Sequence, residues 1–170
     1  MAAVSTSEDV RDLLERYRLR AHRMARAQYL ACKRAQSVHN ALGIPVVVLS
    51  TVVGTTIFSS LGGSPDSTLV IVAGLVSLLA GSLAALQTFL GSAHRAEKHR
   101  AAAAGYGELK RELDVLAVQF RVTTPTADDA LAQLRPLVQR FAIVEKESMD
   151  VPDALYDRAR REEANDDEGV

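Results

Sequence analysis

The sequence from Ala41 to Leu90 contains no lysine, arginine, glutamate or histidine and a single aspartate, Asp66. It divides into two apolar runs, Ala41–Leu61 (ALGIPVVVLSTVVGTTIFSSL) and Leu69–Leu90 (LVIVAGLVSLLAGSLAALQTFL), joined by residues 62–68, GGSPDST. At about 1.5 Å per residue each run makes a helix of roughly 32 Å, which matches a hydrocarbon core of about 30 Å. Val, Leu, Ile, Ala and Gly occupy every side of both helices, so neither has a polar face to turn to water. The rest of the 170-residue chain is too short and too charged to wrap them. The expected fold class is an all-α membrane protein built on an antiparallel two-transmembrane hairpin (residues 41–90).

Charge is segregated around that hairpin. Between Arg34 and Arg95 the only ionisable residues are His39, Asp66 and His94. Arg11, Arg16, Arg18, Arg20, Arg23, Arg26, Lys33 and Arg34 precede the first span, and Arg95, Lys98, Arg100, Lys110 and Arg111 follow the second. The connector has no basic residue, so the positive-inside rule puts both termini in the cytoplasm and the turn outside. A seven-residue turn reverses the chain but builds no external receptor. Met1–Leu14 begins with small and acidic residues, unlike a signal peptide. The lone Cys32 excludes an intrachain disulfide.

Residues 1–40 read as a basic helix, with Ser7 as N-cap and Glu8 and Asp9 at the positive end of its dipole. Val10, Leu13, Leu14, Tyr17, Ala21, Met24 and Ala31 give it a weak apolar stripe. Two readings stay open: an arm on anionic headgroups, or a helix packed on its own C-terminal partner. Nucleic acid is a poor partner, because no aromatic platform is interleaved and Glu8, Asp9, Asp12 and Glu15 dilute the basic patch.

Inside the first span Thr51, Thr55 and Ser59 recur every four residues. They are candidate pore-lining residues; the plainer reading bonds their hydroxyls to backbone carbonyls or neighbouring helices. Ala73, Ser77, Gly81 and Ala85 in the second span form a small-residue face of the kind that lets helix backbones approach.

After Leu90, residues 91–160 read as a cytoplasmic helical region. His94, Arg95, Lys98, His99 and Arg100 are candidate membrane-interface anchors. The spacing of His94, Glu97 and His99 fits no zinc-hydrolase pattern, so no metal is expected. Tyr106, Leu109, Leu113, Leu116 and Phe120 step by three and four, the seam of a coiled coil, and are the expected homo-oligomer contact. Thr126 and Asp129 resemble a capping box opening another helix, in whose interior Pro136 removes a backbone donor and is expected to make a kink. Residues 161–170 read as an acidic disordered tail. No nucleophile–base pair, phosphate loop or cofactor motif is present, so neither an enzyme nor a cofactor is expected.

Phe89-Leu90 running into Arg95-Ala96-Glu97-Lys98-His99-Arg100, then Ala102–Tyr106, Leu109-Lys110-Arg111-Glu112-Leu113, and later Val151-Pro152 and Leu155-Tyr156 resemble SLATT domains. These are two-transmembrane effectors associated with bacterial nucleotide-synthase and SLOG sensor systems. The resemblance implies an oligomeric, pore-forming or membrane-disrupting effector in anti-phage immunity. It would sit in the bacterial inner membrane and be triggered by a separate cytoplasmic sensor or nucleotide-synthase system. A different class stays open beside it: a non-conducting membrane scaffold presenting its cytoplasmic helices to a partner protein.

Overall fold

The computed structural model describes residues 7–60 and 67–168, with side chains described over 7–55 and 67–163. The elements are α1 (Ser7–Ser60), α2 (Ser67–Leu90), α3 (Ser92–Thr123), α4 (Ala127–Glu147) and α5 (Asp153–Glu168). Among the described residues there is no strand. The protein is all-helical and has two long apolar helices able to cross a membrane. Two compact units are present, one made of residues 1–32 and 97–170, the other of residues 33–96.

α1 is continuous through Pro45. Pro45 lacks an amide hydrogen, so the helix goes on past it with one backbone bond fewer. Between α2 and α3 only Gly91 interrupts the helix, at φ +55, with its amide donating to the Thr88 carbonyl. A left-handed residue after a helix is where glycine has no Cβ penalty. Thr126 caps α4: its hydroxyl accepts from the Asp129 amide and donates to the Asp129 carboxylate at 2.7 Å.

The first unit is a bundle in which α1, α3 and α4 share one core. Val10, Leu14 and Ala21 of α1 meet Ala130, Leu134 and Phe141 of α4 and the α3 residues Tyr106, Leu109, Leu113, Leu116 and Phe120. Fully burying such side chains contributes about 1.5–3 kcal/mol each. The α3 seam read from the sequence is therefore real as a pattern and different in partner. Its five residues are covered by α1 and α4 of the same chain and are not open to a second copy.

The C-terminal residues also differ from expectation. Instead of a disordered tail from residue 161, helix α5 continues to Glu168. Arg26 pairs with Glu162 at 2.8 Å, and Arg23 donates to the buried Glu163 carboxylate. Charges that read as repulsive in isolation are here opposite the basic face of α1. Residues 169–170 of the expected tail lie outside the described residues.

Candidate functional site

In the second unit the apolar surface faces outward. Ile44, Val47, Val48 and Val52 of α1 and Leu69, Leu75, Leu78 and Phe89 of α2 are exposed. None of the most apolar window of the first helix is buried, and only 6% of that of the second. A core helix of a soluble protein would be covered by its own chain; these are covered by almost nothing. That is the surface a lipid-embedded helix presents.

Each helix is half-covered along one line. In α1 the line runs through Leu42, Val46, Leu49 and Val53; in α2 it runs through Ala73, Val76, the fully buried Ala80, Leu83 and Gln87. Steps of three and four residues keep one face in view along a helix. Gln87 Nε2 lies 3.1 Å from His39 Nδ1. With the amide donating, Nδ1 accepts, and the neutral ring carries its proton on Nε2. A Cβ on Gly43 would come within 3.0 Å of the same amide nitrogen, so glycine there lets Gln87 approach. This pair was not singled out from the sequence. Its signal was nonetheless present: Gln87 is the only amide in the second apolar run, and His39 the only ionisable residue between Arg34 and Asp66.

The hydroxyl stripe stands elsewhere. Thr51 donates to the Val47 carbonyl at 2.8 Å and Thr55 to the Val52 carbonyl at 2.9 Å, both within α1. Both side chains are exposed, on the side of α1 away from its half-covered line. The Ser59 side chain lies outside the described residues. The small-residue face is split. Ala73 is half-covered, whereas Ser77, Gly81 and Ala85 are exposed, and nothing lies within 4 Å of where a Gly81 Cβ would be.

Of the expected interface anchors, His94, Arg95, Lys98 and Arg100 are exposed. His99 is not an anchor: it is 7% exposed, and its Nδ1 is 2.6 Å from Oε1 of Gln28, itself 0% exposed. Gln28 Nε2 donates to the Met149 carbonyl at 2.8 Å, so its Oε1 accepts from the His99 Nδ1 hydrogen. Two buried polar groups thereby satisfy each other and link α1, α3 and the segment after α4. The sequence hid this because His99 sits in a run of charges, and only its helical phase turns it inward.

In the bundle core, Tyr17 and Tyr106 meet Phe141 edge-on, at 5.4 and 5.3 Å between ring centroids. The Arg20 guanidinium stands over the Phe141 ring. Burial pushes the Tyr106 phenol above its ordinary value, against the lowering effect of its hydrogen bond to Ser148. The Glu163 carboxylate, through its hydrogen bond, raises the Arg23 guanidinium further. Among the described residues no three His, Cys, Asp or Glu side chains converge as metal ligands would. No family model, curated protein or solved structure matches this chain.

Proposed function

We propose that the chain is a membrane effector of the kind its SLATT-like sequence suggests. The two apolar helices form an antiparallel hairpin in a bacterial inner membrane, with both termini cytoplasmic. Several hairpins assemble side by side and open a conduit when a separate sensor or nucleotide signal engages the cytoplasmic helices. Two helices alone enclose no pore, so assembly is part of the reading. The observation that carries it is the open face at Ser77, Gly81 and Ala85, where another helix backbone has room to approach. Thr51 and Thr55, pointing away from the half-covered line, supply the dipoles an ion in transit needs.

Purified chain in liposomes tests this by ion flux. Gly81→Leu is expected to lower both assembly and flux by wedging helices apart. Thr55→Val keeps the shape, loses the hydroxyl, and is expected to leave assembly intact while flux falls. A second reading, a scaffold that never conducts, is favoured by one observation: both threonine hydroxyls already donate to carbonyls of their own helix. Flux unchanged by Thr55→Val would remove the hydroxyls from the path. Absence of flux in assembled wild-type chain would leave the scaffold.

A further inference from the structure

The buried seam of α3 leaves a second line of residues on the opposite side of the same helix. Ala104, Glu108, Arg111, Val115, Val118 and Val122 step by four and three, and each is exposed. At about 100° per residue they fall within roughly 40° of one direction, half a turn from Tyr106 and Leu113. Val115, Val118 and Val122 are 67%, 53% and 77% exposed. They form an apolar strip on a helix whose other face is already packed.

Next to the valines the strip is charged, and the charges are ordered. Glu108 lies on one flank of the line and Arg111 on the other. Glu97 and Arg100 repeat the arrangement eleven residues earlier, with the glutamate on the same flank as Glu108. Among the described residues none of these four side chains makes an ion pair or hydrogen bond within the chain. That contrasts with Glu112 and Asp114, on other sides of α3, which pair with Arg140 and with Arg18 and Lys110.

We infer that this strip is where a second copy of the chain docks, with the two α3 helices side by side and parallel. The inference rests on the membrane-embedded, self-assembling reading above, because copies inserted the same way in one bilayer present α3 in the same direction. A two-fold axis along parallel helices brings the left flank of one strip against the right flank of the other. Glu108 then meets the partner's Arg111, Glu97 meets the partner's Arg100, and the valines form apolar layers between them. An isologous contact needs a self-complementary surface, and opposite charges on opposite flanks of one apolar line satisfy that need.

The full-length chain carrying Cys32→Ser and Val118→Cys, in lipid vesicles, tests the contact by disulfide cross-linking. Cross-linking to a dimer is expected at Val118, and equally in a second chain with the cysteine at Val122 instead. Glu108→Arg, added alone, sets like charges against each other and is expected to lower the cross-linked fraction about fivefold, the order expected for exposed ion pairs. Adding Arg111→Glu to that chain reverses both flanks and is expected to restore it. These positions are exposed, so helix content and thermal midpoint should not move, which separates a lost contact from a lost fold. No cross-link at either position, a yield indifferent to the charge reversal, or a cross-link formed only to another cellular protein overturns the inference. Flux without this cross-link would sink the α3 contact alone; the cross-link without flux would sink the conduit alone.

Discussion

Phe141 joins three elements at one point, since Tyr17 of α1 and Tyr106 of α3 both make edge-type ring contacts with it and Arg20 stands over its ring. Edge-on aromatic pairs add about 0.5–1.5 kcal/mol beyond burial. Phe141→Ala is therefore expected to destabilise the bundle by about 3–5 kcal/mol, and Phe141→Leu by distinctly less, since leucine refills much of the volume. Denaturant unfolding of the detergent-solubilised chain, followed by tyrosine fluorescence, measures both; equal losses would mean the cavity is not what matters. The phase of Tyr106, Leu109 and Leu113 was visible in the sequence. What local periodicity does not carry is whose surface covers that face. A heptad step specifies a direction, and α1, more than eighty residues away in sequence, fills it. His99 shows the same limit from the other side. Its neighbours are charged, and the buried Gln28 carbonyl oxygen gives it a partner when it turns in.

At the scale of elements, α5 is held differently from the rest of its bundle. Among its described side chains Ala159 is the one fully buried apolar residue, with Leu155 and Tyr156 half-buried, so little apolar surface there retains it. The remaining hold is charge, Arg23 on Glu163 and Arg26 on Glu162, the latter carboxylate being paired within α5 by Arg158 as well. Glu163 Oε1 is buried and accepts no hydrogen bond among the described residues, which works against docking. Hydrogen bonds from Arg158 and Arg26 hold the Glu162 carboxyl below its ordinary value of 4.5. A depressed carboxyl contributes stability that is present above the unfolded value and is lost as pH falls through the folded one. Release of α5 is thus expected below about pH 4.5, and also at neutral pH as salt screens the exposed pairs. Trypsin cleavage after Arg160 and Arg161 reports it, and should rise with salt well before the α3–α4 core opens. Cleavage that stays flat to 1 M salt would mean that Leu155, Tyr156 and Ala159 hold the helix unaided. The sequence pointed to disorder here because every ionisable residue from Glu162 to Glu168 is acidic. Arg158 is local, but Arg23 and Arg26, which tie these carboxylates to α1, lie 140 and 136 residues earlier, and no local composition can register them.

For the whole molecule, the two apolar helices were the most legible feature, because a charge-free run the length of a bilayer has few other physical solutions. The orientation rests on a different quantity, the excess of lysine and arginine on the two flanks over a connector that has none. Some of that basic charge is engaged inside the bundle: Arg18, Arg20, Arg23 and Arg26 pair with Asp114, Glu145, Glu163 and Glu162. Arg34, Arg95, Lys98 and Arg100 appear in no ion pair among the described residues, and each lies within ten residues of a span in sequence. Translocating unpaired cations is costly, so in the proposed topology these few residues are expected to set the orientation and the paired arginines to add little. Both termini are accordingly expected on the cytoplasmic side. In a Cys32→Ser background, a cysteine placed at Asp66, a position outside the described residues, should react with an impermeant maleimide added outside intact cells. A cysteine replacing Asp157 in α5 should react only after the membrane is permeabilised. Reversing Arg95, Lys98 and Arg100 to glutamate should shift part of the population to the opposite labelling pattern, whereas reversing Arg20 and Arg23 should not. Were Asp66 reachable only from the cytoplasmic side in the unaltered chain, the helical bundle would face outward. A cytoplasmic trigger acting on α1, α3 or α5 would then have nothing to touch.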